Sequence, residues 1–331
     1  MATKTGNRRG AGGLRFEEMS RTERVMAAVR GEPVDRVPVC FWHHFQAQGS
    51  GRKLADASLT FFDEEFDLDI LKLMPDVPYP FPNRSISVAD QWRLFEPIDS
   101  DRSRFFTQRV EAVNLLRDQL GFDTPIIVTL FSPLTEALYA AADHATFLRH
   151  AQEAGPVVHE ALATIAENLR AHLRDVIAAG ADGVFFALMG ATKTIMTEPL
   201  YREFGRPYDL LALQGVANGW LNVLHIHGEK DLLFETVLDY PVEVVSWSDR
   251  LAGPSLKDAR AITSKCLMGG WHEFGPLSHG PEKEILVEAT DAIAQTGGRK
   301  LILAGGCSVP DDTDDRWLHY AREIVDDLDI P

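Results

Sequence analysis

Short apolar runs of strand length alternate with longer amphipathic segments from residue 17 to the end of the chain, and that alternation leaves few folds open. The candidate strands are Val37–Trp42, Ile70–Met74, Ile126–Leu130, Gly183–Ala187, Asn222–His225, Val244–Trp247, Cys266–Gly269 and Leu301–Ala304. Helix-like stretches lie between them. Ala161–Ala179 stops at Gly180 and Glu282–Gln295 stops at Gly297-Gly298, glycines suited to the left-handed cap that ends a helix. Strands separated by helices run parallel, because a crossover long enough to hold a helix brings the chain back in the same direction. Eight such repeats predict an α/β fold, a single (β/α)8 TIM barrel over residues 17–331, and the 331 residues are an ordinary length for one. An open doubly wound sheet is the competing architecture, but no glycine-rich phosphate-binding turn follows the first strand. Met1–Leu14 is rich in Gly, Thr, Arg and Lys and lacks periodicity, so residues 1–16 are read as a flexible tail.

Charge and composition narrow the partners. A formal net charge of -16 repels phosphates and anionic lipids, so no nucleic acid and no membrane surface is expected as a partner. No apolar run approaches the roughly 18 residues of a membrane span, and no apolar signal core follows the basic N-terminal residues. A cytoplasmic protein acting on a small molecule is the expectation. Cys40, Cys266 and Cys307 are too few for a disulfide framework and are read as reduced thiols. The sequence leaves the oligomeric state open, a homodimer included.

In a barrel the chemistry gathers at the C-terminal ends of the strands, so the residues just after each strand are the candidates. Leu221-Asn-Val-Leu-His-Ile-His-Gly228 carries two histidines spaced i, i+2, which a strand turns to one side. Leu301-Ile-Leu-Ala-Gly-Gly-Cys307 ends another strand in a thiol. His225, His227 and Cys307 together form a three-ligand set with an open position, the arrangement of catalytic zinc sites. The competing structural reading makes His225 a hydrogen-bonded core histidine, His227 a solvated loop residue and Cys307 a small core residue. The same rule collects His43 and His44 after the first strand, Asp76 after the second, Ser132 and Tyr139 after the third, and Lys193 after the fourth. Ser248 and Asp249 follow the sixth strand, and Trp271, His272 and Glu273 the seventh.

Glu23-Arg-Val-Met-Ala-Ala-Val-Arg-Gly-Glu-Pro-Val-Asp-Arg-Val-Pro38 resembles the opening of the uroporphyrinogen decarboxylase superfamily, which also contains zinc-dependent, cobalamin-linked methyltransferases. The likeness runs from about residue 17 to the C-terminus and implies the same barrel. Phe66-Asp-Leu-Asp-Ile-Leu-Lys-Leu-Met-Pro-Asp76 is similar to the decarboxylase segment that ends in a catalytic aspartate, which implies that role for Asp76. Ser132-Pro-Leu-Thr-Glu-Ala-Leu-Tyr139 resembles the stretch leading to an active-site tyrosine. Where the decarboxylases carry two arginines that grip tetrapyrrole carboxylates, this chain reads Pro38-Val-Cys-Phe-Trp-His43-His44-Phe-Gln-Ala47, with His43 and Ala47 in the arginine places. Guanidinium binds carboxylates bidentately and stays charged, and neutral imidazole does neither. The methyltransferase branch resembles His-x-Cys at the fifth strand end and Cys at the eighth, places held here by His225, His227 and Cys307, with one thiolate replaced by imidazole.

The expectation is a zinc enzyme that moves a methyl group between a small substrate and a corrinoid, the cobalamin being supplied by a separate corrinoid protein. Asp76, Tyr139 and His272 are the expected catalytic residues, and His43, His44, Ser132, Lys193 and Trp271 the substrate-binding ones. A metal-free decarboxylase built on Asp76 is the second reading, and a degenerate barrel acting as a binding protein the third.

Overall fold

In the computed structural model of the chain, residues 8–9, 15–16, 18–45, 50–82 and 85–331 are described. Of the expected tail, Arg8–Arg9 and Arg15–Phe16 pair antiparallel, and the remainder lies outside the described residues, as does Ala47. The main sheet has eight strands: β1 Val39–Cys40, β2 Leu71–Leu73, β3 Ile126–Phe131, β4 Gly183–Leu188, β5 Val223–Ile226, β6 Val244–Trp247, β7 Cys266–Trp271 and β8 Leu301–Gly305. Their order is β1-β8-β7-β6-β5-β4-β3-β2, with every neighbouring pair parallel. Helices fill the connections, as in Arg104–Leu120 before β3 and Gly155–Ala178 before β4. The chain folds into the expected (β/α)8 barrel.

The strand period of two explains how one sheet supplies two cores. Ile70, Ile127, Phe185, Val223, Met268 and Ile302 meet inside the barrel. Their neighbours Leu71, Val128, Val184, Leu224, Val245 and Leu303 face outward and join the larger core beneath the helices. Each such side chain, when fully buried, contributes about 1.5–3 kcal/mol. Helix ends follow local chemistry. Ser20 and Glu23 form a capping box at the start of Arg21–Arg30, which ends at Gly31 with φ 79°. Gly297, in the left-handed conformation, closes Glu282–Thr296 as the sequence predicts.

The ring nearly closes between β1 and β2, which are shorter than expected at two and three residues. Here the Asp69 N–H donates to the Val39 carbonyl (3.0 Å). The fully buried Asp69 carboxylate accepts the Val39 N–H (2.8 Å) and the guanidinium groups of Arg24 (2.8 Å) and Arg36 (2.5 and 3.0 Å). A carboxylate and two arginines thus replace part of the missing strand ladder. Among the described residues, no helix is long and apolar enough to cross a membrane.

Candidate metal centre

His225 lies within β5, not after it. It shares the inward face with Val223 and stands in register between Ala187 of β4 and Ser246 of β6. Its Nδ1 is 3.3 Å from Ser246 Oγ, and its ring stacks on Phe185 with centroids 5.0 Å apart and planes 28° from parallel. The Nε2 atom is buried and has no hydrogen-bond partner. His227 follows the strand, held by its N–H on the Leu188 carbonyl (3.1 Å). Its Nδ1 is 3.6 Å from Cys307 Sγ. Cys307 is carried by the Gly305-Gly306 turn after β8, where a Cβ on Gly306 would stand 2.4 Å from Ser248 Cα and 2.8 Å from Glu273 Oε2. One donor atom from each of His225, His227 and Cys307 lies within 4.8 Å of the others.

This arrangement fits a metal ion. Tetrahedral zinc bound to nitrogen and sulfur holds its donors roughly 3.5 Å apart, so a contraction of about 1 Å would seat one. An orphaned buried nitrogen is costly unless something binds it. Burial holds His225 well below the usual imidazole range, with His227 and Lys72 adding to the effect, and burial also lowers His227. Both therefore favour the neutral form that ligates metals. Burial raises the Cys307 thiol, an effect that a cation at the site would oppose.

Other polar groups border the mouth. Asp76, buried after β2, lies 3.3 Å from Nδ1 of the half-exposed His44. Tyr139 is 45% exposed and packs edge-on against Phe131, yet desolvation pushes its phenol up to about 12, helped by Glu136 and Cys307. Glu273 is fully buried. Its Oε1 accepts a hydrogen bond from Ser248 Oγ, and its Oε2 has no partner. Lys72, on the inward face of β2, holds its amine 4.2 Å from the Phe185 ring centre and 4.7 Å from that of Trp42. Burial brings this amine down to about 7, against the opposing pull of Cys40, Cys307 and Asp76.

The remaining sequence candidates make other contacts. His43 packs against Phe45 and Phe61, with centroids 4.9 Å from each. Ser132 caps the helix Pro133–Ala140 through the Thr135 N–H (3.2 Å) and is buried. Lys193 is exposed on the loop after β4. Trp271 points away from the mouth: it belongs to the core beneath the helices, and its Nε1 donates to the Ile285 carbonyl (3.0 Å). His272 turns onto its own loop, where Nδ1 accepts the Phe274 N–H (3.1 Å). Strand-end counting missed Lys72 and Thr129, whose buried Oγ1 has no partner. Period two could have found both, since Lys72 alternates with Ile70 and Met74, and Thr129 with Ile127.

Comparison with known proteins agrees with this architecture. The structure resembles a methyltransferase from Methanosarcina mazei with a TM-score of 0.76 at 21% identity, covering 94% of this chain and 99% of that one. A B12-independent methionine synthase from Shewanella sp. W3-18-1 matches with a TM-score of 0.56 at 16% identity, over 88% of this chain and 94% of the other. In sequence, the chain is 24% identical over 333 residues to the methylcobamide:CoM methyltransferase MtaA of Methanosarcina barkeri (strain Fusaro / DSM 804), covering 89% of this chain and 94% of the relative. The family model for uroporphyrinogen decarboxylase (URO-D) matches residues 71–328, most of the barrel, and the chain therefore belongs to the uroporphyrinogen decarboxylase family, with methyltransferases among its relatives.

Proposed function

We propose that this chain is a zinc-dependent methyltransferase that moves a methyl group between a small substrate and a corrinoid carried by a separate protein. The observation that carries the reading is the convergence of His225, His227 and Cys307 at the barrel mouth, with the buried Nε2 of His225 left unpaired. The methylcobamide:CoM methyltransferase relatives supply the corrinoid part of the proposal. Zinc bound here would lower the pKa of a substrate thiol, or polarise a substrate oxygen, at its open position.

The protein's own groups have separable tasks. Neutral His225 and His227 bring lone pairs without charge, and Cys307 brings the one anionic donor, so the loaded site keeps a net positive charge that favours an anionic fourth ligand. Ser246 Oγ stands on the Nδ1 side of His225, which leaves Nε2 as the nitrogen available to the site. The Asp76 carboxylate, beside His44, can take and pass on the proton that a substrate thiol or hydroxyl gives up. Tyr139, its phenol kept protonated, can donate a hydrogen bond from the neighbouring strand end, after β3.

The test combines metal analysis with activity. Purified protein should hold about one zinc per chain, Cys307→Ala should lose it, and methyl transfer to cob(I)alamin, or in reverse from methylcob(III)alamin, should stop on chelation and return with Zn2+. Uroporphyrinogen should remain unchanged, because His43 sits among aromatic rings where tetrapyrrole carboxylates would need guanidinium partners. Efficient decarboxylation insensitive to chelation would replace this reading with one centred on Asp76.

A further inference from the structure

The interior of the barrel holds a group that the proposed chemistry leaves unused. Lys72 sits on β2 with its amine buried, and the hydrogen bond it makes runs to the thioether of Met74 (3.2 Å), a weak acceptor. Its position is set instead by two aromatic faces, Phe185 at 4.2 Å and Trp42 at 4.7 Å, which meet each other edge to face with centroids 5.1 Å apart. A lysine in this setting is held as amines are held over aromatic rings, not as a partner of a carboxylate.

Phe185 is the ring on which His225 stacks. The tether of His225 to Ser246, at 3.3 Å, is long for a hydrogen bond, so it constrains the imidazole plane only weakly. The stack on Phe185 supplies the missing constraint. Phe185 is in turn held by the Trp42 edge and the Lys72 amine. The contacts thus run from Lys72 through Phe185 to His225, and they end at the nitrogen that has no partner.

We propose that Lys72 and Phe185 are positioning residues of the metal centre: the Lys72 amine fixes the Phe185 ring, and the ring fixes the plane of His225 so that Nε2 faces Cys307 and His227. The inference rests on the metal reading given above and adds to it two residues that do not themselves bind the ion. Groups that orient a metal-bound histidine typically change metal affinity by about 10–100-fold when removed.

The experiment compares wild type with Phe185→Leu, Lys72→Met, Lys72→Arg and the Phe185→Leu/Lys72→Met pair, each first shown to be folded by circular dichroism. Zinc dissociation constants come from chelator competition, and Co2+ loading gives d–d and thiolate charge-transfer bands that report ligand geometry. Phe185→Leu should weaken zinc binding by about 10–100-fold and shift the Co2+ bands. Lys72→Met should act in the same direction, Lys72→Arg should restore most of the loss, and the double variant should be no worse than Phe185→Leu, since both act through one ring. Wild-type zinc affinity and a wild-type Co2+ spectrum in both Phe185→Leu and Lys72→Met would overturn the inference, whatever their melting temperatures. If wild type itself takes up neither metal, the metal reading falls first.

Discussion

Adding one methyl group at Gly306 tests whether the turn after β8 is built to deliver Cys307. An ideal Cβ there stands 2.4 Å from Ser248 Cα and 2.8 Å from Glu273 Oε2. The first obstacle is backbone and cannot rotate away. Restoring an ordinary carbon–carbon contact requires a shift of at least about 1 Å, and the turn is the movable part, because β6 is locked between β5 and β7. A bound zinc would hold its donors to within about 0.2 Å of their ideal distances, and the clash with backbone opposes the return movement that Cys307 would need to reach the ion. Gly306→Ala should therefore lower zinc affinity by at least about 100-fold, while costing the fold only about 1–3 kcal/mol as a local overpacking. Chelator competition measures the first quantity and urea denaturation the second. Unchanged zinc affinity in a folded Gly306→Ala protein would refute the idea that this turn positions the thiol.

Two further substitutions test the frame. Asp69→Asn strips charge from a buried carboxylate that serves Arg24 and Arg36, and should destabilise the barrel by about 3–5 kcal/mol in urea, with part of the loss recovered by adding Arg36→Met; a loss below about 1 kcal/mol would show that the seam does not depend on the charge. His172, on the helix Gly155–Ala178, lies between Phe105 and Phe106 with both ring nitrogens unpartnered, and burial, with Arg109 nearby, holds its pKa well below the ordinary value of 6.5. The unfolded chain takes up this proton below about pH 6.5 and the folded chain does not, so stability from this residue is full above that pH and falls by about 1.4 kcal/mol per unit as pH drops toward the folded value. Urea midpoints at pH 7 and pH 5 should therefore diverge less in His172→Leu than in wild type, and an equal divergence would remove His172 from the account.

The barrel was legible because strand length, glycine stops and eight repeats point to one topology, and the observed strands overlap all eight expected ones. The ends of β1 and β2 were not, because pairing there depends on Asp69 and two arginines that meet only after folding. The grouping of His225, His227 and Cys307 was legible in its spacing, since the two histidines share one side and Cys307 lies two residues beyond a strand end of the same barrel. The other strand-end residues were less so. Whether a side chain after a strand turns inward depends on turn geometry, which sends His272 back to the Phe274 N–H and Trp271 out toward Ile285. Lys72 escaped for the opposite reason: it lies inside a strand, where position-after-strand reasoning does not look.

The placement of the three donors divides the mouth of the barrel unequally. β5 and β8 are separated on one side by β6 and β7 alone, so a line from the histidines to Cys307 is a chord that cuts off a short arc. That arc is filled, since Ser248 and Glu273 at the ends of β6 and β7 are buried and bonded to each other. The long arc carries the half-open side chains, His44 after β1 and Tyr139 after β3. A molecule arriving from solvent thus meets the donors across the first three strands, and its admissible shape is decided by a part of the chain far in sequence from the residues that would bind the metal.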